Sequence, residues 1–527
     1  MNRMTRAGVL AALLALTAVS ASAQSDTQRV AVTDISIIGN TLLPQATLDA
    51  ALAPYKGQRT MAELKQAAAA VQELYRQAGY GAVVTFLPEQ AVAGGKLVIG
   101  VLEGRIARVV VLGNKQFSAE NVRRSLPLLA EGQTPRVRRI DAQVQLANDN
   151  PARKLALTLE AGSNKGEVDA VVNVTEEPVS RWSLSADNSG SRQTGRLRLG
   201  LGYQHAALWD RDHQLSLQAQ MAPEHPSAVR IFSGSYRVPL YSAGLIFNTF
   251  ATYSNVDAGT TATAAGALQF NGKGRALGLS LTRLFDRFGE FDQRLTLSLE
   301  KRDYLNNCAI EGLPAGACGS AGESVTVHPL AIEYSAQRPG ERTAGFNLAL
   351  SHNLKLGGRH AGAGSIGAVR PGGELGFTVL RGSAYAVTPL GRDWRLNYRL
   401  TAQASADGLV PGEQFGLAGM NAVRGYQERE VTGDSGAAAS IEVISPAIGS
   451  TGLRVLAFAD GGVARNRLGT DCLEGQTRCT LASWGLGTRF ALGASQWRFD
   501  VAQALKDGRT SERNSVRLHF QASLSFQ

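Results

Sequence analysis

The chain has 527 residues, 58 of them glycine, with 6% aromatic and 19% charged side chains and a formal charge of +10. No basic run or basic helix gathers that charge, so it reads as lumen, loop and lipid-headgroup residues and speaks against a nucleic-acid partner. Among its seven histidines there is no His-Glu-x-x-His. Gly-x-Ser-x-Gly and the phosphate-cradling Gly-Lys-Ser/Thr loop are missing too, so neither an enzyme, a cofactor nor a nucleotide-driven machine is expected.

Arg3 and Arg6 open the chain, Ala7 to Val19 form a short apolar run, and Ala21-Ser22-Ala23 supply small residues for cleavage. This order predicts a secretory signal peptide over residues 1–23. The run is shorter than the ~20 residues a membrane helix needs. No later stretch is long and apolar enough either. Mean hydropathy near zero in a long secreted chain suits alternating strands, of which one residue in two faces lipid. In an oxidising compartment the four cysteines form two local disulfides most simply, Cys308–Cys318 and Cys472–Cys479, one of three pairings. A metal site would need CxxC-like spacing or nearby histidines, and neither is seen.

Two segments then repeat at an offset of 74 residues, Gly39 to Gly113. Each begins with an alternating strand (Ile35 and Ile37; Val109 and Val111), turns at Gly-Asn and enters a helix. In the first copy Thr60 and Glu63 make a capping box for a helix with Leu64, Val71, Leu74 and Tyr75 on one stripe, stopped at Gly79. Strands near Ala82–Leu87 and Lys96–Leu102 follow, and Lys154–Leu159 and Glu167–Thr175 match them in the second copy. The predicted order is strand, helix, helix, strand, strand, twice, over residues 24–104 and 105–178. A sheet of this kind leaves an edge open to an extended peptide. Glu176-Glu177 reads as a pair of solvated linker charges.

From residue 179 to 527 the period becomes two. Leu197, Leu199, Leu201 and Tyr203 alternate with Arg196, Arg198, Gly200 and Gly202, and the pattern recurs to Val516–Phe526. One face suits lipid and the other water, as in an outer-membrane barrel. Sixteen strands are predicted, starting near residues 181, 196, 213, 229, 243, 268, 293, 325, 342, 374, 393, 437, 453, 482, 496 and 514. Connections after even strands are mostly short, and several after odd strands are long, such as 304–324 and 406–436. An even count brings both barrel ends to the periplasmic side, where the two small domains must sit, and puts both cysteine pairs in outer loops.

The tandem strand-helix-helix-strand-strand repeat resembles POTRA domains. The longest loop, 406–436, carries Val423-Arg424-Gly425-Tyr426 and then Gly433-Asp434-Ser435-Gly436. It resembles the VRGY loop of the outer-membrane superfamily that joins POTRA domains to a barrel. Phe458-Ala459-Asp460-Gly461-Gly462 resembles that superfamily's F-x-D-x-G strand motif. Two POTRA domains point to the two-partner secretion transporters (ShlB/FhaC/HecB-like), covering nearly the whole mature chain. The runner-up is a barrel-assembly insertase, whose relatives carry more POTRA domains.

The resemblance implies a fold, α+β periplasmic domains before an all-β outer-membrane barrel, and a function. That function is export, without ATP, of a large unfolded exoprotein of the haemolysin or adhesin type. The partner's N-terminal secretion domain would be captured by POTRA strand edges. It also implies a loop-to-barrel lock of Val423, Arg424, Gly425 and Tyr426 against Phe458, Asp460 and Gly462. In that lock Arg424 pairs with Asp460 on the inner wall, and Tyr426 packs beside Phe458. Family members often carry an N-terminal plug helix, for which the six residues between Ala23 and Val30 leave no room. Their terminal aromatic is usually last; here Phe526 stands one place early as the signal for the barrel-assembly machinery. Outer-membrane lipids are the remaining partner.

Overall fold

The structure is a computed structural model describing residues 29–190, 194–226, 229–255, 259–263, 266–270, 273–305 and 323–527; the expected signal peptide and Cys308 and Cys318 lie outside these. The chain divides into two compact units, one up to Arg105 with residues 163–167, the other Ile106–Gly162 with Val168–Gln527.

In the first unit, β1 (Arg29–Val32) pairs with β3 (Gly57–Thr60), a small ribbon the repeat did not predict. The main sheet has the order β2-β5-β4. Central β5 (Lys96–Glu103) is parallel to β2 (Asp34–Ile38) and antiparallel to β4 (Val83–Phe86). Helices α1 (Gln45–Leu52) and α2 (Met61–Gln77) pack against it. Thr60 and Glu63 form the capping box that starts α2. Leu64, Val71 and Tyr75 then share a core with Ile35, Leu97 and Ile99. Gly39, after β2, has φ 86°, and a Cβ there would stand 2.2 Å from the Val101 carbonyl oxygen. Both facts demand glycine. Glu103, ending β5, clamps the turn. It accepts the Thr41 N–H at 2.7 Å, the Leu42 N–H at 3.1 Å and the Tyr75 hydroxyl at 2.9 Å.

The second unit begins with the same device. Strands β6 (Arg105–Leu112), β7 (Arg153–Ala161) and β8 (Glu167–Glu176) have the order β6-β8-β7, with α3 (Ala119–Arg124) and α4 (Val137–Ala147) between β6 and β7. Gly113 has φ 84°, and a Cβ there would lie 2.5 Å from the Val174 carbonyl oxygen. Glu176 accepts the N–H groups of Lys115, Gln116 and Phe117 at 2.8, 2.7 and 3.2 Å. It is therefore a turn clamp, not a solvated linker charge: the end of β8 meets donors the turn leaves unpaired. The core of this domain (Phe117, Val122, Leu126, Ile140, Val172) continues into Ala206, Tyr241 and Ile246 of the barrel. A buried polar seam runs beside it. Arg153 Nη2 lies 2.6 Å from Asp212 Oδ2, which also accepts the Tyr241 hydroxyl at 2.6 Å.

The barrel closes with sixteen antiparallel staves. They are β9 (Ser180–Asp187), β10 (Arg198–Leu208), β11 (His213–Met221), β12 (Arg230–Leu240), β13 (Leu245–Asn255), β16 (Lys273–Phe288) and β17 (Phe291–Leu305). Next come β18 (Val325–Val327) with β19 (Pro329–Arg338), then β20 (Ala344–Asn353), β21 (Thr378–Gly391) and β22 (Trp394–Ala404). Last are β25 (Ser435–Ile444), β26 (Arg454–Arg465), β27 (Arg478–Leu492), β28 (Ser495–Ala504) and β29 (Val516–Phe526). β18 and β19 count as one stave because both pair with β17 on either side of His328. β29 closes on β9, from Gln521↔Asp187 to Phe526↔Trp182.

The outer connections hold more structure than their glycine content suggests. β14 (Gly259–Thr263) and β15 (Gly266–Phe270) form a hairpin, α5 (Ala363–Val369) sits in another loop, and β23 (Phe415–Gly416) pairs with β24 (Thr432–Gly433).

Candidate functional site

The loop between β22 and β25 folds into the lumen, and its tip residue Arg424 is completely buried. The wall provides the receptor through strand alternation. On β25, Ser440 and Glu442 stand beside Asp460 and Phe458 of β26. The guanidinium meets Asp460 bidentately, Nε to Oδ2 and Nη2 to Oδ1, both at 2.7 Å, and its own backbone N–H adds a bond at 3.2 Å. Nη1 reaches Glu442 at 2.7 Å and Asp500 of β28 at 3.4 Å, and Nη2 reaches the Ser440 hydroxyl at 3.1 Å. The Phe458 ring lies under the guanidinium, 3.4 Å from its carbon. A planar five-donor fork uses all of these directions at once, which a lysine could not.

Glycines make the space. A Cβ at Gly485 of β27 would stand 2.4 Å from Phe458 Cζ, and one at Gly487 would stand 2.2 Å from Asp500 Oδ1. Gly462 does the same for the loop, since a Cβ there would be 2.5 Å from Leu417. Gly425 takes φ 92° and donates its N–H to His519 Nε2 of β29 at 3.0 Å. Tyr426 does not pack beside Phe458. Its hydroxyl lies 2.9 Å from the carbonyls of Ala482 and Lys506, and its ring joins Leu417, Val423, Val431 and Leu481. The turn at Gly425 sends consecutive side chains to separate parts of the wall. Cys472 and Cys479, bonded as a disulfide with Cα atoms 6.1 Å apart, complete the Tyr426 cluster.

Further carboxylates hold the rest of the loop; of these the sequence motif contained Asp434 but not Glu413, Glu430 or Asp500. Glu413 receives Arg302, Arg381 and the Tyr304 hydroxyl, each at 2.8 Å. Asp434 receives Arg370 at 2.6 Å and the N–H groups of Leu409 and Arg467 at 2.9 and 2.7 Å. Glu430 accepts the N–H groups of Thr510 and Ser511 in the last outer loop. Asp500 is shared with Arg489 at 2.7 Å and Arg498 at 2.9 Å. Alternation along β25 and β28 places Glu442 and Asp500 inward. Their common partner lies across the lumen, where no local spacing reveals it.

Space remains along the other wall. A cavity of about 200 Å³ lies among Ser183, Ser185, Gln218, Gln220 and Ser233, bordered by Met420 and Asn421 of the loop. Another of about 430 Å³ is lined by Gln204, Ser216, Asn248, Ser280 and Thr296. Phe526, half-exposed on the outer face, pairs in register with Trp182, whose ring lies 4.7 Å from Tyr203.

Residues 166–490 match the model of the family described as haemolysin secretion/activation protein ShlB/FhaC/HecB, and residues 30–104 match the ShlB-type POTRA domain. The outer membrane transporter CdiB of Dickeya dadantii (strain 3937) is 26% identical over 426 residues, 76% of this chain and 69% of that protein. The heme/hemopexin transporter protein HuxB of Haemophilus influenzae is 25% identical over 163 residues, 30% of this chain and 29% of that protein. The solved structure of CdiB from Escherichia coli superposes with a TM-score of 0.78 at 19% identity, over 96% of this chain and 92% of that one. BamA from Haemophilus ducreyi lacking POTRA domains 1–3 superposes at 0.51 and 15% identity, over 94% of this chain and all of that one, a likeness of fold alone. With a sixteen-stranded barrel and an N-terminal POTRA domain that this family places in the periplasm, the chain belongs to the ShlB/FhaC/HecB family of two-partner secretion transporters of the outer membrane.

Proposed function

We propose that this transporter exports a large unfolded exoprotein of the haemolysin or adhesin type through its own barrel, without nucleotide hydrolysis. Two tandem POTRA domains, residues 24–104 and 105–178, capture the client's N-terminal segment in the periplasm. The observation that carries this reading is the free edge of β4. Its only sheet neighbour among the described residues is β5. Beside the edge runs an apolar groove of about 530 Å³ lined by Met61, Leu64, Ala68, Phe86, Leu87 and Val92. The Thr85 N–H points toward Gln72 Oε1 at 3.4 Å, a bond that a client carbonyl would better. Backbone pairing gives affinity with little sequence preference, and the groove takes alternate apolar side chains.

Downstream, serine and glutamine side chains line the lumen beside the loop together with Asp187, Arg198 and Glu428, a polar, mixed-charge surface that suits an extended chain that must bind weakly and move on. Val423–Tyr426 against Phe458, Asp460 and Gly462 serve as the lock that sets the loop in this position. Cys472–Cys479 braces it, and Phe526 marks the barrel for assembly.

The test uses the full-length transporter and its client. Thr85→Pro removes the outward N–H and obstructs strand addition, so client in the medium should fall at least tenfold while the barrel remains heat-modifiable. A photo-crosslinking residue at Val84 should capture unfolded client. Normal export by Thr85→Pro, or capture of folded client alone, overturns the reading. Loss of other outer-membrane barrels in place of lost export would mark an insertase.

A further inference from the structure

We propose that the lipid-facing wall over β11–β17 carries a binding site for a phosphorylated, multiply acylated lipid of the outer leaflet. The periplasmic domain enters the barrel at Ser180, so odd staves run outward and β13 reaches the cell surface at Asn255. In the outer half of this wall, Gly234 and Ala251 are paired in register and flanked by Leu217 and Leu277. Two adjacent positions with little or no side chain leave an apolar groove of about 730 Å³, walled by Phe232 and Tyr253.

Cations crowd its outer rim. Arg275 pairs in register with Tyr253, and Lys301 with Leu277. Lys273, paired in register with Asn255, and Arg230, whose backbone N–H donates to Asn255 Oδ1, lie one row nearer the surface. Lys301 is 54% exposed, and Arg275, exposed as well, has no charged partner among the described residues. Asp303, the one carboxylate there among the described residues, stands opposite Arg275 in register, but its side chain is engaged elsewhere. It accepts the Thr326 hydroxyl at 2.7 Å and lies 3.7 Å from Lys301.

The height fits a headgroup. On the outward face of β16, Arg275 and Arg283 bracket Leu277, Leu279 and Leu281, all exposed. Eight residues at ~3.3 Å each, tilted ~40°, separate the two cations by ~20 Å along the membrane normal. Arg275 therefore sits at the outer boundary of the apolar band. A guanidinium left unpaired at that boundary, with an ammonium on the neighbouring strand, matches a phosphate; the groove beneath matches acyl chains.

Native mass spectrometry of the full-length protein in mild detergent, titrated with bis-phosphorylated lipid A and with the same lipid stripped of phosphate, tests this. The wild type should hold the phosphorylated form at least tenfold more tightly. Arg275→Gln with Lys301→Gln should erase that preference, and either change alone should reduce it. Gly234→Leu fills the groove and should weaken both lipids with every cation in place. Arg283→Gln, a lipid-facing cation at the opposite boundary, should match the wild type. Equal binding of the two lipids by the wild type, wild-type preference in the double variant, or an equal loss in Arg283→Gln overturns the site.

Discussion

Removing Arg424 tests whether the buried tip holds the loop. In Arg424→Ala, Asp460 loses both 2.7 Å bonds and the backbone bond is left alone. Its side chain is fully buried, so the charge is stranded. A stranded buried partner costs about 3–5 kcal/mol, or a shift of roughly 10²- to several 10³-fold between inward and displaced loop. Glu442 loses its 2.7 Å contact as well, while Asp500 keeps Arg489 and Arg498. Asp460→Ala is different. There Arg424 retains Glu442, Asp500, the Ser440 hydroxyl and the Phe458 ring.

Arg424→Ala should therefore impair more than Asp460→Ala, and the double variant should be little worse than Arg424→Ala. Arg424→Lys should fall between, because one ammonium cannot face Asp460 and Glu442 together. Single-channel conductance in planar bilayers reports the loop, client in the medium reports export, and heat-modifiability shows that the barrel assembled. Wild-type conductance and export in Arg424→Ala would refute the lock. Equal losses in the two single variants would refute the shared-carboxylate argument.

Gly425→Ala should be milder. The new Cβ meets only ordinary contacts of 3.4 Å and beyond, so the cost is the left-handed backbone, about 1–2 kcal/mol, seen as a partial rise in conductance. Cys479→Ser should lose about 2.5 kcal/mol of local chain-entropy stabilisation, increasing protease cleavage in the 466–477 loop while the barrel stays heat-modifiable. Glu103 sits below the usual carboxylate range. Burial pushes it up, but the Thr41 hydroxyl and N–H, the Tyr75 hydroxyl and the Leu42 N–H outweigh that. A depressed carboxylate contributes stability above its unfolded pKa of about 4.3 and loses it as pH falls through the folded value. Urea unfolding of residues 24–104 should therefore weaken on acidification below about pH 4.5. Glu103→Gln should cost about 1–3 kcal/mol at neutral pH and flatten that dependence.

Strand number and placement were legible because period two is local: each stave carries its own inward and outward faces. The predicted starts at 213, 325 and 496 fall within a residue of His213, Val325 and Ser495. Gly-Asn was legible for the same reason, as a turn needing positive φ. Glu103 and Glu176 were not, because each is separated from the turn it clamps by some sixty residues. The charged wall was half legible. Asp460 stood in a motif, whereas Glu442 and Asp500 were single acids in alternating strands, indistinguishable there from any water-facing residue. Tyr426 was misplaced because adjacency in sequence stood in for adjacency in space, and a glycine between two side chains undoes that inference.

The same geometry constrains how the loop could ever leave the lumen. Its tip is held by Asp460, Glu442 and Asp500, its start by Glu413, and its end by Asp434. Glu413 is fixed to β17 and β21, on staves remote from β26 and β28. Outward withdrawal of the whole loop would break all three sets at once, each a buried charge cluster whose separation costs several kcal/mol. Rotation of the tip alone breaks one. It needs the bonds of Arg424, the Gly425 N–H to His519 and the Tyr426 hydroxyl to Ala482 and Lys506 to yield, and the glycine already supplies the freedom to turn. The free space along β9–β12 adjoins Met420 and Asn421, just before the tip. Widening that space therefore requires the tip to move and leaves the Glu413 and Asp434 anchors where they are.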